Sequence, residues 1–201
     1  VLVERVFHLG AGMRIDLTLR NLTTTTRPAR VDLGVWSDLA DIFSVKEGRP
    51  SARAAECTAA HGALSFRNTD GEVGLAVTSD PPGRAQVAGR LTWEVELEGR
   101  SRWSACLELA AQRSGDQLDL RHPCGEPTEL ALPATRQAEW NAGLPTVRTD
   151  IAGLDGAYRR SVDDLGGLRL FDPREPRPTI AAGAPWFMTL FGRDSILTSL
   201  M

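Results

Sequence analysis

Residues 13–20 alternate strictly, with Ile15, Leu17 and Leu19 on one side and Arg14, Asp16, Thr18 and Arg20 on the other. A period of two predicts a strand with one buried face. The pattern returns at residues 29–35, where Val31, Leu33 and Val35 point inward. Residues 63–67 and 73–78 flank Asn68-Thr69-Asp70-Gly71, turn chemistry that predicts a hairpin. Residues 91–97 alternate again with glutamates on the wet side, Gly99-Arg100 turns the chain, and Trp103, Ala105, Leu107 and Leu109 make the next inward row. Trp93 and Trp103 both fall on apolar faces and are expected in the core. Seven or more half-apolar strands need a second sheet to cover them, so residues 1–132 are predicted to form an antiparallel β-sandwich.

The period then changes. Residues 110–145 lose the alternation and are punctuated by Pro123, Pro127, Pro133 and Pro145. Residues 133–149 read as linker, with 134–141 a short helical or extended piece. From 150 onward Ile151, Leu154, Tyr158, Val162 and Leu165 recur at spacings of three and four, with Asp150 as candidate cap and Gly166-Gly167 as stop. Residues 168–171 read as extended and 172–183, with three prolines, as an ordered or gating loop. A further helix is expected from about residue 188 to 201, with Leu190, Ile196, Leu197 and Leu200 as its apolar positions. The order is a mainly β domain, a linker, and an opening α-domain over 150–201.

Composition is that of a folded globular chain: 201 residues, 42% hydrophobic and 24% charged. A net charge of -3 supplies no basic excess to neutralise phosphates, which argues against a nucleic-acid partner. No apolar run approaches the ~20 residues of a membrane-spanning helix. The odd count of three cysteines, Cys57, Cys106 and Cys124, suggests buried thiols rather than a disulfide framework, and a cytoplasmic location. The spacings Cys57-x3-His61 and His122-x-Cys124 are not those of common zinc fingers, so no metal is expected. Asn21-Leu22-Thr23 matches a glycosylation sequon, which carries no meaning in a bacterial-type cytoplasm.

Candidate chemistry gathers near the end, in Ala181-Ala182-Gly183-Ala184-Pro185-Trp186-Phe187-Met188-Thr189-Leu190-Phe191-Gly192-Arg193-Asp194-Ser195. Trp186 and Phe187 offer flat faces for the C–H surface of a pyranose. Arg193 presents a fork of donors for hydroxyls. Asp194 lies near a helix start, and Gly192 allows close backbone approach. An arginine, a carboxylate and an aromatic face together suit a sugar. An Arg-Asp step at a helix start also serves as a cap beside a solvated cation, and Trp-Phe also serves as core.

The segment 181–201 resembles the entry to the catalytic barrel of the amylo-α-1,6-glucosidase (glycogen debranching enzyme) family, with its small-residue loop, Pro-Trp-Phe and Gly-Arg-Asp-Ser step. Asp38-Leu39-Ala40-Asp41-Ile42-Phe43-Ser44-Val45-Lys46 is similar to the Asp-Phe-Ala-Asp-Leu-Phe-Glu-Val-Arg segment of that family's N-terminal domain. Leu39 replaces the usual Phe and Ser44 the usual Glu. Asp38 and Asp41 also fit as turn carboxylates bonding nearby amides. The resemblance implies a β-sandwich followed by an (α/α)6 barrel, here truncated to its first helices. It implies hydrolysis of α-1,6-linked glucose at branch points of glycogen or dextrin, without metal or organic cofactor. Asp194 would be an active-site carboxylate, Arg193 its sugar-binding neighbour, and Trp186 and Phe187 would line the pocket.

The chain begins without Met and within a strand pattern, and Met201 follows Asp194 by seven residues. It is expected to be the front of a longer enzyme, inactive alone because glycoside hydrolysis takes a second carboxylate. The alternatives are an (α/α)6 hydrolase of another oligosaccharide, such as trehalose or mannosylglycerate, or a non-catalytic sandwich that binds carbohydrate or packs against a partner domain.

Overall fold

A computed structural model describes residues 1–49, 55–172, 174–175 and 177–200. The chain divides into two compact units, Val1–Ala131 and Leu132–Met201.

The first unit holds β1 (Leu2–Gly10), β2 (Gly12–Arg20), β3 (Arg27–Gly34), helix α1 (Ile42–Glu47), β4 (Ala55–Ala60), β5 (Ala63–Asn68), β6 (Val73–Asp80), β7 (Arg84–Gln86), β8 (Arg90–Leu97), β9 (Arg102–Arg113) and β10 (Asp116–Gln117). One antiparallel sheet runs β1-β2-β9-β6-β5-β4, with β10 on β9, and a smaller one runs β3-β8-β7. Their apolar rows share one core of Ile15, Leu17 and Leu19 from β2, Leu64 and Phe66 from β5, Val77, the β8 residues Leu91, Trp93 and Leu97, and Ala105, Leu107 and Leu109 from β9. This is the sandwich that the alternation predicts. Register explains the rows: Ile15 stands opposite Leu107, Leu64 opposite Val77, and Val31 opposite Trp93. Trp93 is buried, donates its indole N–H to the Pro81 carbonyl at 3.0 Å, and meets Trp103 edge-on at 5.9 Å.

Two features of this unit correct the sequence reading. Strand β9 continues past Ala110, where alternation is lost, because Ala110 is buried and pairs with Ala76. Cys106 and Cys124 are joined in a disulfide, which leaves Cys57 as the free thiol among the described residues. The disulfide fixes the segment after β10 to the outer side of β9. Arg14 adds to this, donating to the carbonyls of Pro123 at 2.8 Å and Glu126 at 2.7 Å. The cysteine count therefore no longer argues for a reducing compartment.

The second unit contains α2 (Leu132–Ala142), α3 (Leu154–Gly167), a two-stranded ribbon of β11 (Arg169–Leu170) and β12 (Thr179–Ile180), and α4 (Gly192–Leu200). A helix thus occupies much of the span expected as linker. It packs on α3, where the Trp140 indole donates to the Val162 carbonyl at 2.9 Å and a Cβ at Gly166 would strike Gln137 and Trp140. Helix α3 starts later than expected. Gly153 in the left-handed region precedes it, and Asp155 rather than Asp150 accepts a backbone N–H, from Thr149 at 3.0 Å. Arg169 donates to the carbonyls of Gly166 and Arg136, and its burial, with Arg136 nearby, lowers its pKa. Among the described residues these three helices form no closed (α/α)6 ring, and none is long and apolar enough to cross a membrane.

Candidate functional site

The predicted site residues lie on one continuous stretch of the second unit. Strand β12 leads into buried Ala181, whose N–H donates to the Leu168 carbonyl at 2.9 Å. The chain then folds back on itself. Gly183 and Phe187 exchange both backbone hydrogen bonds, at 3.1 and 2.9 Å, so that Ala184, Pro185 and Trp186 form the tip of a tight loop. The Ala182 N–H closes a third bond, to the Thr189 carbonyl at 3.1 Å. Trp186 and Phe187 are both exposed rather than packed as core, and the Phe187 ring meets Phe191 edge-on at 5.7 Å.

Helix α4 starts at Gly192, four residues later than the apolar pattern suggested. Ser195 sets this start. Its N–H donates to the Phe191 carbonyl at 2.9 Å while its hydroxyl accepts from the Phe191 N–H at 3.1 Å, and its side chain is buried. With Ser195 turned in, Arg193 and Asp194 of the same turn are turned out, with side chains 85% and 56% exposed. Arg193 Nε lies 3.6 Å from Asp194 Oδ1. A hollow of about 400 Å³ beside α4 is lined by Thr179, Leu190, Phe191, Gly192, Ser195 and Ile196, among others. A second, of about 570 Å³, lies among Trp140, Tyr158, Leu165, Arg169 and Ile180. Neither is lined by Trp186, Phe187, Arg193 or Asp194. The fold therefore brings the four residues onto one exposed surface segment, with the aromatic loop tied to α4 through Phe191. It does not enclose them in either hollow. Chemically the group offers an acceptor, a fork of donors and two aromatic faces, which is a means of holding hydroxyls. The charged neighbour of Asp194 here is Arg193, and glycoside hydrolysis would set a second carboxylate about 5–9.5 Å away across the scissile bond.

The stretch 38–46 is built from turns and a cap. Asp38 accepts the Ala40 N–H at 3.1 Å across Leu39, whose φ of 50° is left-handed. Asp41 caps α1, accepting the N–H groups of Phe43 and Ser44 at 2.9 Å each and the Ser44 hydroxyl at 2.8 Å. These bonds, led by the Ser44 N–H, hold the Asp41 carboxyl below its ordinary pKa. Gly48 ends the helix in the left-handed region. Both aspartates thus serve the backbone. Apolar side chains are left outside here: Ile42, Phe43 and Val45 on α1 are exposed, as is Trp36 just before the stretch, at 80%. Sequence reasoning passed over Trp36, although its place next to inward Val35 was a signal that it points away from the core.

Residues 1–108 match the model of a family described as the N-terminal domain of (some) glycogen debranching enzymes. No curated protein matches the chain.

Proposed function

The chain belongs to the family of N-terminal domains of glycogen debranching enzymes, and from that premise we propose that it works in the hydrolysis of α-1,6-glucosidic branch linkages of glycogen or dextrin. The match over residues 1–108 is the observation that carries this reading. Further support comes from the exposed Trp186, Phe187, Arg193 and Asp194, whose types suit a sugar's hydroxyls and apolar face. In this reading Asp194 is the active-site carboxylate, Arg193 binds substrate beside it, and the two aromatics line the approach. The barrel that would complete the site is of the (α/α)6 kind.

The test is made in an active enzyme that carries this segment. Asp194→Asn is expected to lower kcat/KM for glucose release from a branched dextrin by at least about 100-fold, with unchanged circular dichroism. Arg193→Ala is expected to act mainly through KM. Unchanged turnover in Asp194→Asn returns the carboxylate to a helix-start role and overturns the assignment. The 201-residue chain alone is expected to release no glucose, because its described helices form no closed barrel to hold a substrate and a second carboxylate against Asp194.

A second reading, in which the sandwich itself holds glucan, is favoured by exposed Trp36, after β3, and exposed Phe43 on α1. Retardation of the chain in a glycogen-containing gel, abolished in Trp36→Ala, would establish it. Equal mobility with and without glycogen would remove it.

A further inference from the structure

Strand β1 is an edge of the larger sheet, pairing with β2 alone among the described residues. Its partners on β2 tell which side each residue faces. Val3, Arg5, Phe7 and Leu9 stand opposite Leu19, Leu17, Ile15 and Met13, on the core side of the sheet. Those β2 residues are buried or pack on the core, yet Val3, Phe7 and Leu9 are 52–71% exposed. The smaller sheet is too narrow to reach over them. On the other face Leu2 and Val6 are also exposed. The edge therefore exposes apolar residues on both sides, interrupted by Glu4, Arg5 and His8, with a row of unpaired backbone donors and acceptors between them.

Other edges of this unit carry the usual safeguards. Strand β3 has Pro28, which lacks an N–H, and the charged pair Arg30 and Asp32. Strand β4, Ala-Glu-Cys-Thr-Ala-Ala, presents small and polar residues. Strand β1 has no proline over nine residues, and its charges are Glu4 and Arg5, with His8 bonded to Asp16. A long edge that is largely apolar, and whose charges a second copy can match, is a template for that copy.

The sequence of β1 also selects the strand that fits. A two-fold axis normal to the sheet at Val6 pairs residues whose numbers sum to a constant, and this register uses the whole strand, Leu2 opposite Gly10. On the outer face it sets Val6 against Val6, and Glu4 against His8 of the other copy, a ring already held by Asp16 at 3.1 Å and by contact with His122. On the core side it sets Val3 against Leu9 and Arg5 against the Phe7 ring, a cation over an aromatic face. Axes at Glu4 or Arg5 set like charges directly against each other, which is destabilising. We propose that β1 is a self-association edge, joining two copies of this chain antiparallel about Val6 into one continuous sheet. The inference is independent of the debranching reading.

The experiment is sedimentation velocity of the full chain, with dimer expected at about 100 µM protein. Val6→Lys places two ammonium groups together on the axis and loses an apolar contact, so the dimer dissociation constant is expected to rise at least about tenfold. Within the monomer the new lysine faces Asp16, so the fold is retained and circular dichroism is unchanged. Register is read separately by crosslinking in a Cys57→Ser background. Val6→Cys is expected to form an intermolecular disulfide, because directly opposed Cα atoms lie about 4.5–5.5 Å apart. Glu4→Cys, which faces His8 of the other copy, is expected not to. A monomer at that concentration overturns the proposal. So does a dimer that is indifferent to Val6→Lys, or one that crosslinks equally through both positions.

Discussion

The side-chain amide of Asn21 is 1% exposed and lies within 2.8–3.0 Å of the carbonyls of Thr25, Leu97 and Glu98. Its oxygen accepts from the N–H and hydroxyl of Thr23, and its own N–H donates to Ser101. One side chain thus ties the β2–β3 connection to the turn between β8 and β9. Asn21→Ala removes these bonds, of which that to the Leu97 carbonyl is buried, and an unsatisfied buried group costs about 1–3 kcal/mol. A loss of about 3 kcal/mol is expected in urea unfolding followed by tryptophan fluorescence. A change within experimental error would mean that the loop repacks around the smaller side chain. The same burial closes the Asn21-Leu22-Thr23 sequon in the folded chain. Hydrophobic periodicity registers such a residue only as polar, so its structural weight was invisible before the fold was known. Ser195 escaped for the same reason: its hydroxyl reads as surface, yet it is buried and sets the helix start that turns Arg193 and Asp194 outward.

Helix α1 exists because of its caps, and this makes it sensitive to acid. Asp41 has a lowered pKa in the fold, so its contribution is present above the ordinary carboxylate range and is lost as pH falls through the depressed folded value. Asp32, lowered by its bonds to Arg30 and Thr92, works in the same direction on β3. Exchange protection of the Phe43 and Ser44 amides is therefore expected near neutral pH and is expected to fade only as pH falls below the ordinary aspartate value of about 3.9. Asp41→Asn keeps a capping oxygen and should flatten that pH dependence. Protection equally pH-dependent in the variant would show that another group is responsible. The contrast with the strands shows what a sequence encodes openly. Strands β2, β3, β5, β6, β8 and β9 each bury one face, and alternation announces it. Strand β4 is built of small residues, β7 has only three, and α1 is set by side-chain caps rather than by a period, so none of these was legible. In α4 the apolar positions misled in another way. Leu190, Ile196 and Leu197 are exposed, and the buried residue is a serine. The site's position at an exposed helix start was legible from Gly192-Arg193-Asp194-Ser195, but its lack of an enclosing pocket was not.

At the scale of the molecule, the first unit contains everything its core requires. Every residue of the shared core comes from β2, β5, β6, β8 and β9, and the covalent staple lies within the same unit. A polypeptide ending at Ala131 is therefore expected to unfold cooperatively, with the near-ultraviolet signature of the Trp93–Trp103 pair retained. The staple sets how stable that unit is. Cys106 and Cys124 are 18 residues apart, and a loop of that size restricts the unfolded chain by about 3 kcal/mol. Reduction should also free the Cys124 side chain, leaving Arg14, through the carbonyls of Pro123 and Glu126, and Glu108, which accepts the Cys124 N–H, to hold the segment. The double substitution Cys106→Ser with Cys124→Ser should therefore lower the unfolding free energy by about 2–4 kcal/mol while preserving strand content. Wild-type protein kept under strong thiol reductant should match it. Agreement of the two would make the sandwich's stability dependent on redox surroundings, which bears directly on the compartment in which this chain folds. Equal stability of the reduced, substituted and oxidised forms would show that the Arg14 bonds and the apolar core hold the segment without the disulfide.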